Sequence, residues 1–388
     1  YYGDRKGIIL GGLFMADVKT HLRELSVATT VGLLNLDIDF VKTDLYNSKK
    51  FYTYAQMVIN NDISSAENIL EFDDFSGDLK TIIENGYKLG KMIYETPYFK
   101  IYKDDKIEWI GSDTQKDDPV DLKIGNYSFS LKEESFILKN MGLYQLLNNL
   151  TGSNYVRGLH IFSDFARDEY DAWFKYTWQY LVNRLVKGYT WELRKGKNIS
   201  KISLVGANTV VLYYNGRCSN IPINISTNAE YMGHTVSVTR EKVFSKWISE
   251  VIANDSEYIR LKKSCSIEAG KKVSDKINKE FRPDNIYDFF QIHPQEYYYA
   301  KTTSLETTIL KVPGKSDFNS AIEFKGSKYD VPSSQLNIIS TFQNKKTKKI
   351  LEFRNECRFS HGQFNGTPEA KMYVVRNTPL TELYEPLI

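Results

Sequence analysis

Two short runs, Pro119-Val120-Asp121-Leu122-Lys123-Ile124 and Tyr127-Ser128-Phe129-Ser130-Leu131-Lys132, flank the dipeptide Gly125-Asn126. The second run alternates apolar and polar residues with period two, which suits a half-buried strand and not a helix. Gly125-Asn126 is a turn dipeptide of the kind that joins two short strands. The stretch is therefore read as a tight β-hairpin, and it constrains the fold more than any other feature of the chain. Folding back brings Asp121 near Ser130 and Lys132. Ser130 and Lys132 lie two apart on one strand and share a face, while Leu131 points away into the core. A carboxylate and an ammonium at one sheet edge can hold a divalent metal and orient a water. That pairing is the basis of metal-assisted phosphodiester hydrolysis.

Around this hairpin, helical spacing marks 14–34, 52–70 and 79–94, with Pro97 ending the last. Residues 98–102 and 106–110 read as short strands. Ser135 is read as the N-cap of a helix over 136–150 that Gly152 closes. The strongest helical signal covers 162–186. From Thr190 the period changes, and 199–204, 209–214 and 219–225 read as strands, with Asn215-Gly216 as a hairpin turn. Further on, 243–252 and 262–279 are expected to be helical, and 336–342 with 349–359 to form a second hairpin. This order predicts an α/β (α+β) chain. A central mixed β-sheet flanked by helices, with an N-terminal helical part, occupies residues 1–228, and a C-terminal α+β unit occupies 229–388.

Composition excludes several classes. Apolar content of 41% and charged content of 26% are those of an ordinary soluble globular protein. Net charge is +3, from 51 basic and 48 acidic residues, too small to announce nucleic-acid binding by itself. It does not exclude such binding, because proteins that grip DNA often segregate charge rather than accumulate it. Cys218, Cys265 and Cys357 are widely spaced with no CxxC, which argues against a disulfide framework or a structural zinc site and for a reducing, cytoplasmic setting. The apolar stretch 7–16 is too short to span a bilayer. The chain begins at Tyr1 without Met, so a few residues are expected to precede it.

The hairpin resembles the core of the restriction-endonuclease-like superfamily, called PD-(D/E)xK. In that pattern an Asp follows Pro at the start of one strand, and (Asp/Glu)-x-Lys lies on the next. Here Pro119-Val120-Asp121 stands for the first half and Ser130-Leu131-Lys132 for the second. The likeness is confined to residues 117–135. It departs at Val120, which intervenes between Pro119 and Asp121, and at Ser130, which takes the place of the second carboxylate. Some members carry Ser-x-Lys and recruit the missing carboxylate from a helix. The resemblance implies a Mg²⁺-dependent, sequence-specific double-stranded DNA endonuclease, a type II restriction enzyme. Such an enzyme leaves a 3′-hydroxyl and a 5′-phosphate, and a homodimer is expected if its site is palindromic. Asp121 is then the first metal ligand. Lys132 positions the attacking water or stabilises the charge developing on phosphorus. The missing carboxylate has three candidate sources: Glu133 and Glu134, which follow the lysine, and Glu84 on the helix before the sheet. Glu134 shares parity with Lys132.

Candidate DNA contacts lie elsewhere. Lys345, Lys346 and Lys348, with Arg354 and Arg358, form a basic two-stranded ribbon that can meet phosphates. His361, Gln363 and Asn365 follow in a glycine-punctuated loop and can read base edges. Arg194 and Lys197 form a second basic tract after the long helix, and Gln145 lies on the helix after the hairpin. The alternative function is a non-catalytic nucleic-acid-binding protein that uses the basic hairpins and not Asp121. The plain structural reading of the same residues is charge solvated on ordinary turns.

Overall fold

The computed structural model describes residues 11–111, 119–133, 137–156, 161–303, 306–318, 321–359, 362–364, 369–375 and 377–387. The chain is mixed α+β and divides into two compact units built from interleaved segments. Residues 1–135, 291–319 and 379–388 make the first, and 136–290 and 320–378 the second. The boundary expected at 228/229 therefore falls inside the second unit. The reason is a strand pairing. The sheet that holds the hairpin takes its next strand from residues near 300, so the chain must return to it.

Among the described residues the first unit carries three α-helices, α1 (Gly11–Asn35), α2 (Ser48–Val58) and α3 (Gly77–Glu95), and a six-stranded mixed sheet. β1 (Ile107–Trp109), β2 (Leu122–Ile124) and β3 (Tyr127–Glu133) run antiparallel in sequence order. The strand Tyr297–Thr302 then adds to β3 in parallel, followed by Thr307–Val312 and Glu385–Pro386. The hairpin turn is the expected one, with Ile124 paired to Tyr127 and Leu122 to Phe129. Leu22, Leu25 and Val31 of α1 pack with Ile107, Trp109, Leu122, Phe129 and Leu131 in one buried cluster.

Two expectations fail here for visible reasons. The helix expected over 52–70 stops at Val58, and a separate short helix covers Ser64–Glu71. Asn60 and Asn61 are recruited to the open edge of β1. Asn60 Oδ1 accepts from the Ile107 N–H at 2.7 Å, and Asn61 Oδ1 accepts from the Trp109 N–H at 2.8 Å. The Asn61 amide donates to the Trp109 carbonyl at 2.6 Å. The two side chains thus satisfy edge groups that a neighbouring strand would otherwise pair. Residues 98–102 form no strand; the rings of Tyr98 and Phe99 instead pack on Tyr298, with centroids 5.9 and 5.0 Å away.

The crossing of α1 and α3 is close because α3 presents glycine to it. A Cβ on Gly90 would lie 2.8 Å from the Val27 carbonyl oxygen and 2.8 Å from Thr30 Cβ. Gly90→Ala is expected to destabilise the protein by about 1–2 kcal/mol, since overpacking costs about 1–3 kcal/mol and helix propensity returns at most about 1. A urea midpoint at or above that of the wild type would show that the helices can separate there without cost.

The second unit has two antiparallel sheets. The five-stranded one runs Ile322–Asp330, Asn337–Asn344, Ile350–Arg358, Glu369–Val374 and Ile137–Lys139. The four-stranded one is a meander of Trp191–Lys195, Asn198–Val205, Thr209–Tyr214 and Arg217–Pro222. The long helix Arg167–Val186 and the helix Ser256–Glu280 pack on one another and build an aromatic interior that includes Trp173, Tyr258 and Phe364. The helix expected over 136–150 is shorter, Leu143–Thr151, because 137–139 is drawn into the sheet by pairing with Met372 and Tyr373. Its proposed cap, Ser135, lies outside the described residues. Among the described residues no helix is long and apolar enough to cross a membrane.

Candidate active site

β2 begins at Leu122, and Asp121, just before it, extends the ladder by other means. Its N–H donates to the Phe129 carbonyl at 2.8 Å, and its carbonyl accepts from the Ile110 N–H at 3.0 Å. Its carboxylate oxygen Oδ2 accepts from the Leu131 N–H at 2.6 Å, where a backbone carbonyl of a longer strand would have stood. Two hydrogen bonds therefore fix the Asp121 backbone, and a third holds its carboxylate in place. Lys132 Nζ lies 3.6 Å from the same Oδ2, both side chains being about one-fifth exposed (23% and 19%). The other oxygen, Oδ1, has no hydrogen-bond partner among the described residues. Ser130 is 1% exposed, and its hydroxyl is buried without a partner.

The structure adds an acid that sequence reasoning missed. Glu24, in the middle of α1, is 2% exposed. Its Oε2 accepts from the Trp109 indole N–H at 2.8 Å, and its Oε1 from Arg23 at 3.1 Å. Burial first, and the charge of Asp121 second, push the Glu24 carboxyl up to about 7, against the opposing pull of Arg23 and Trp109. The chain makes room for it at Gly111. A Cβ there would sit 1.9 Å from Glu24 Oε2 and 3.0 Å from Trp109 Nε1. A second missed residue is Lys301, which pairs with Lys132 across the parallel strands and so places another ammonium stem beside it.

The other candidates are placed as follows. Glu84 accepts a hydrogen bond from the Tyr46 hydroxyl at 2.8 Å and pairs with Lys42 at 3.7 Å, and these contacts lower its carboxyl below the usual range. None of its described contacts is with the hairpin. Glu134, His361 and Asn365 lie outside the described residues, as does the Glu133 side chain. Gln145 is half-buried on the helix Leu143–Thr151 of the second unit. Lys345, Lys346 and Lys348 are exposed at the turn of the expected hairpin. Arg354 and Arg358 are occupied. Both guanidiniums lie over the Tyr373 ring, at 5.0 and 5.8 Å, and both pair with Glu356, at 3.8 and 3.1 Å. The Gln363 side-chain oxygen is buried without a partner, and its backbone carbonyl accepts from the Tyr170 hydroxyl at 3.0 Å. Arg194 pairs with Glu192 at 2.5 Å, and Lys197 is exposed on the next turn.

Asp121 and Glu24 are the two acids that could hold a divalent cation here. One offers a free oxygen on a rigid carboxylate. The other is an acid whose carboxyl is pushed up first by burial and second by the charge of Asp121, and a bound cation would offset that repulsion. Among the described residues no three His, Cys, Asp or Glu side chains gather as a metal cluster. Magnesium asks for less, since it is usually held by one or two carboxylates with water and substrate phosphate completing the shell. Comparison of the chain with family models, with curated proteins and with solved structures finds no match.

Proposed function

We propose that the chain is a Mg²⁺-dependent endonuclease that hydrolyses phosphodiesters of double-stranded DNA at a defined sequence, as a type II restriction enzyme does. The observation that carries this reading is the pairing of Asp121 and Lys132 at 3.6 Å, together with a buried acid, Glu24, whose proton affinity is raised first by burial and then by the charge of Asp121. The Ser130-x-Lys132 pattern leaves one carboxylate to be supplied from a helix, and Glu24 on α1 meets that need in place of Glu84. Asp121 and Glu24 would hold the cation. Bound magnesium supplies polarisation of the phosphoryl group and a lowered pKa for water. Lys132 places its positive charge where negative charge grows on phosphorus, and Lys301 adds to that field. The buried Ser130 hydroxyl is free to accept or donate a hydrogen bond at the same strand. Water attacks phosphorus as the bond to the 3′ oxygen breaks, and the 3′ oxygen takes a proton. The products are a 3′-hydroxyl and a 5′-phosphate. A homodimer fits a palindromic site, because two-fold protein symmetry matches two-fold DNA symmetry.

The test is incubation with unmodified plasmid DNA, with Mg²⁺ or with EDTA. Discrete fragments that need Mg²⁺ are the expected result. Salt-sensitive binding with no cutting of several diverse DNAs would replace this reading with a non-catalytic nucleic-acid-binding protein.

A further inference from the structure

From Leu193 to Ala229 the chain contains no Asp or Glu, although 48 acids in 388 residues would place about four or five in a stretch of that length. The same stretch carries Arg194, Lys195, Lys197, Lys201 and Arg217. It forms the four-stranded meander of the second unit, apart from the first two residues of that sheet. In a meander, alternate turns fall at the same end. The turn at Gly196 and the turn at Asn215-Gly216 therefore share one end, about 10 Å apart at two strand spacings.

That end is pinned. Asn215 adopts a positive φ of 45°, followed by Gly216 at 84°, the backbone that a tight hairpin turn requires. The Asn215 amide donates to Asn198 Oδ1 at 2.5 Å, and Asn215 Oδ1 accepts from the Ile199 N–H at 2.7 Å. The two turns are thus tied to one another. Around them stand Arg194, Lys195, Lys197 and Arg217, with Lys201 further along the strand. Lys195, Lys197, Lys201 and Arg217 have no ion-pair partner among the described residues. The inner face of the sheet is closed by Ile202, Val210, Leu212 and Ile221, all fully buried. The basic hairpin at 345–349 has an acid near it, Glu323, which itself pairs with Lys325 at 3.0 Å.

We propose that this cationic end of the meander grips the sugar–phosphate backbone of duplex DNA. The proposal rests on the reading of the chain as a DNA-cutting enzyme and names the surface that holds its substrate. Phosphate is the partner that unneutralised lysines and arginines recruit, by releasing the counterions condensed on the duplex. Two pinned turns about 10 Å apart meet more than one phosphate. Because the turns are already ordered, little conformational entropy is lost on binding. An anionic membrane fits less well. Gly196, Asn198, Asn215 and Gly216 form the tip, and none of them is an apolar side chain that could enter a bilayer.

The experiment measures binding of a short duplex in EDTA, across a series of salt concentrations. It compares wild type with Lys195→Gln/Lys197→Gln/Arg217→Gln, with the charge-keeping Lys195→Arg/Lys197→Arg/Arg217→Lys, and with Lys345→Gln/Lys346→Gln/Lys348→Gln. The first variant is expected to lose affinity on the order of a hundredfold near 0.1 M salt, with the slope of log K against log salt falling by about three. The charge-keeping variant is expected to bind as wild type does, which separates lost charge from lost fold. If the first variant binds as tightly as wild type while the 345–348 variant is weakened, the proposal is overturned and the DNA reading stands. If wild type binds no duplex at any salt, both fall together. Binding of wild type to phosphatidylserine vesicles and not to duplex would likewise overturn it.

Discussion

Lys132→Ala is expected to slow Mg²⁺-dependent DNA cleavage by about 10²–10³-fold while leaving the fold intact. That is the usual cost of removing one preorganised group aimed at charge that develops in the transition state. The prediction follows from what Lys132 does and does not hold. Asp121 keeps its place without it, because the Leu131 N–H, the Phe129 carbonyl and the Ile110 N–H fix that residue through backbone hydrogen bonds. The ion pair at 3.6 Å is partly exposed and adds little stability. Deleting the ammonium should therefore remove a catalytic charge and little else. Asp121→Asn is expected to do at least as much damage, through lost cation binding, and to raise the Mg²⁺ concentration needed for any residual cutting. The Lys132 defect should not yield to more Mg²⁺. Single-turnover cleavage at several Mg²⁺ concentrations, with thermal melting as the control for folding, distinguishes the two roles. A folded Lys132→Ala protein that cuts at the wild-type rate would move the active site away from this hairpin.

The hairpin was legible because its signal is local. Period-two alternation and a Gly-Asn turn specify a strand pair within fourteen residues, 119–132, and the register follows from the turn. What surrounds it was not legible, because it arrives from afar. Lys301 reaches Lys132 only through a parallel pairing between strands in distant parts of the chain. That pairing also interleaves the two units, which no composition shift marks. Glu84 is an acid on a helix before the sheet, yet Lys80 and Lys88 lie four residues to either side of it, the spacing of an exposed, salt-bridged face. Glu24 shows the opposite pattern. Its neighbours at three and four are Thr20, His21, Val27 and Ala28, with no cation among them, and no charge follows until Asp37. A lone acid in such a stretch has no surface role to play, and that was the available sign. Asn60 and Asn61 are a smaller case. Nothing local says that two asparagines will leave a helix to complete a distant strand edge.

Glu24→Gln is expected to stabilise the metal-free protein by roughly 3 kcal/mol at pH 8 and to change little at pH 4. A carboxyl raised from 4.5 to about 7 binds its proton more tightly in the folded state than in the unfolded. Below about 4.5 both states hold the proton and the shift has no effect. Between 4.5 and 7 the folded state keeps a proton that the unfolded state has released, so stability falls as pH rises. Above 7 the cost is complete: about 2.5 pH units at about 1.4 kcal/mol each, roughly 3 kcal/mol. Glutamine has no charge to bury, keeps an acceptor for the Trp109 N–H, and escapes that cost. Urea unfolding in EDTA from pH 4 to pH 8 measures the difference, and a gap that stays constant across that range would refute it. Added Mg²⁺ at pH 8 should narrow the gap, because a cation that binds the ionised pair stabilises wild type and has no second carboxylate to hold in the variant. The same substitution should abolish cutting. A residue whose removal strengthens the fold and ends the activity is one retained for chemistry, and that combination would separate Glu24 from an acid that is merely well packed.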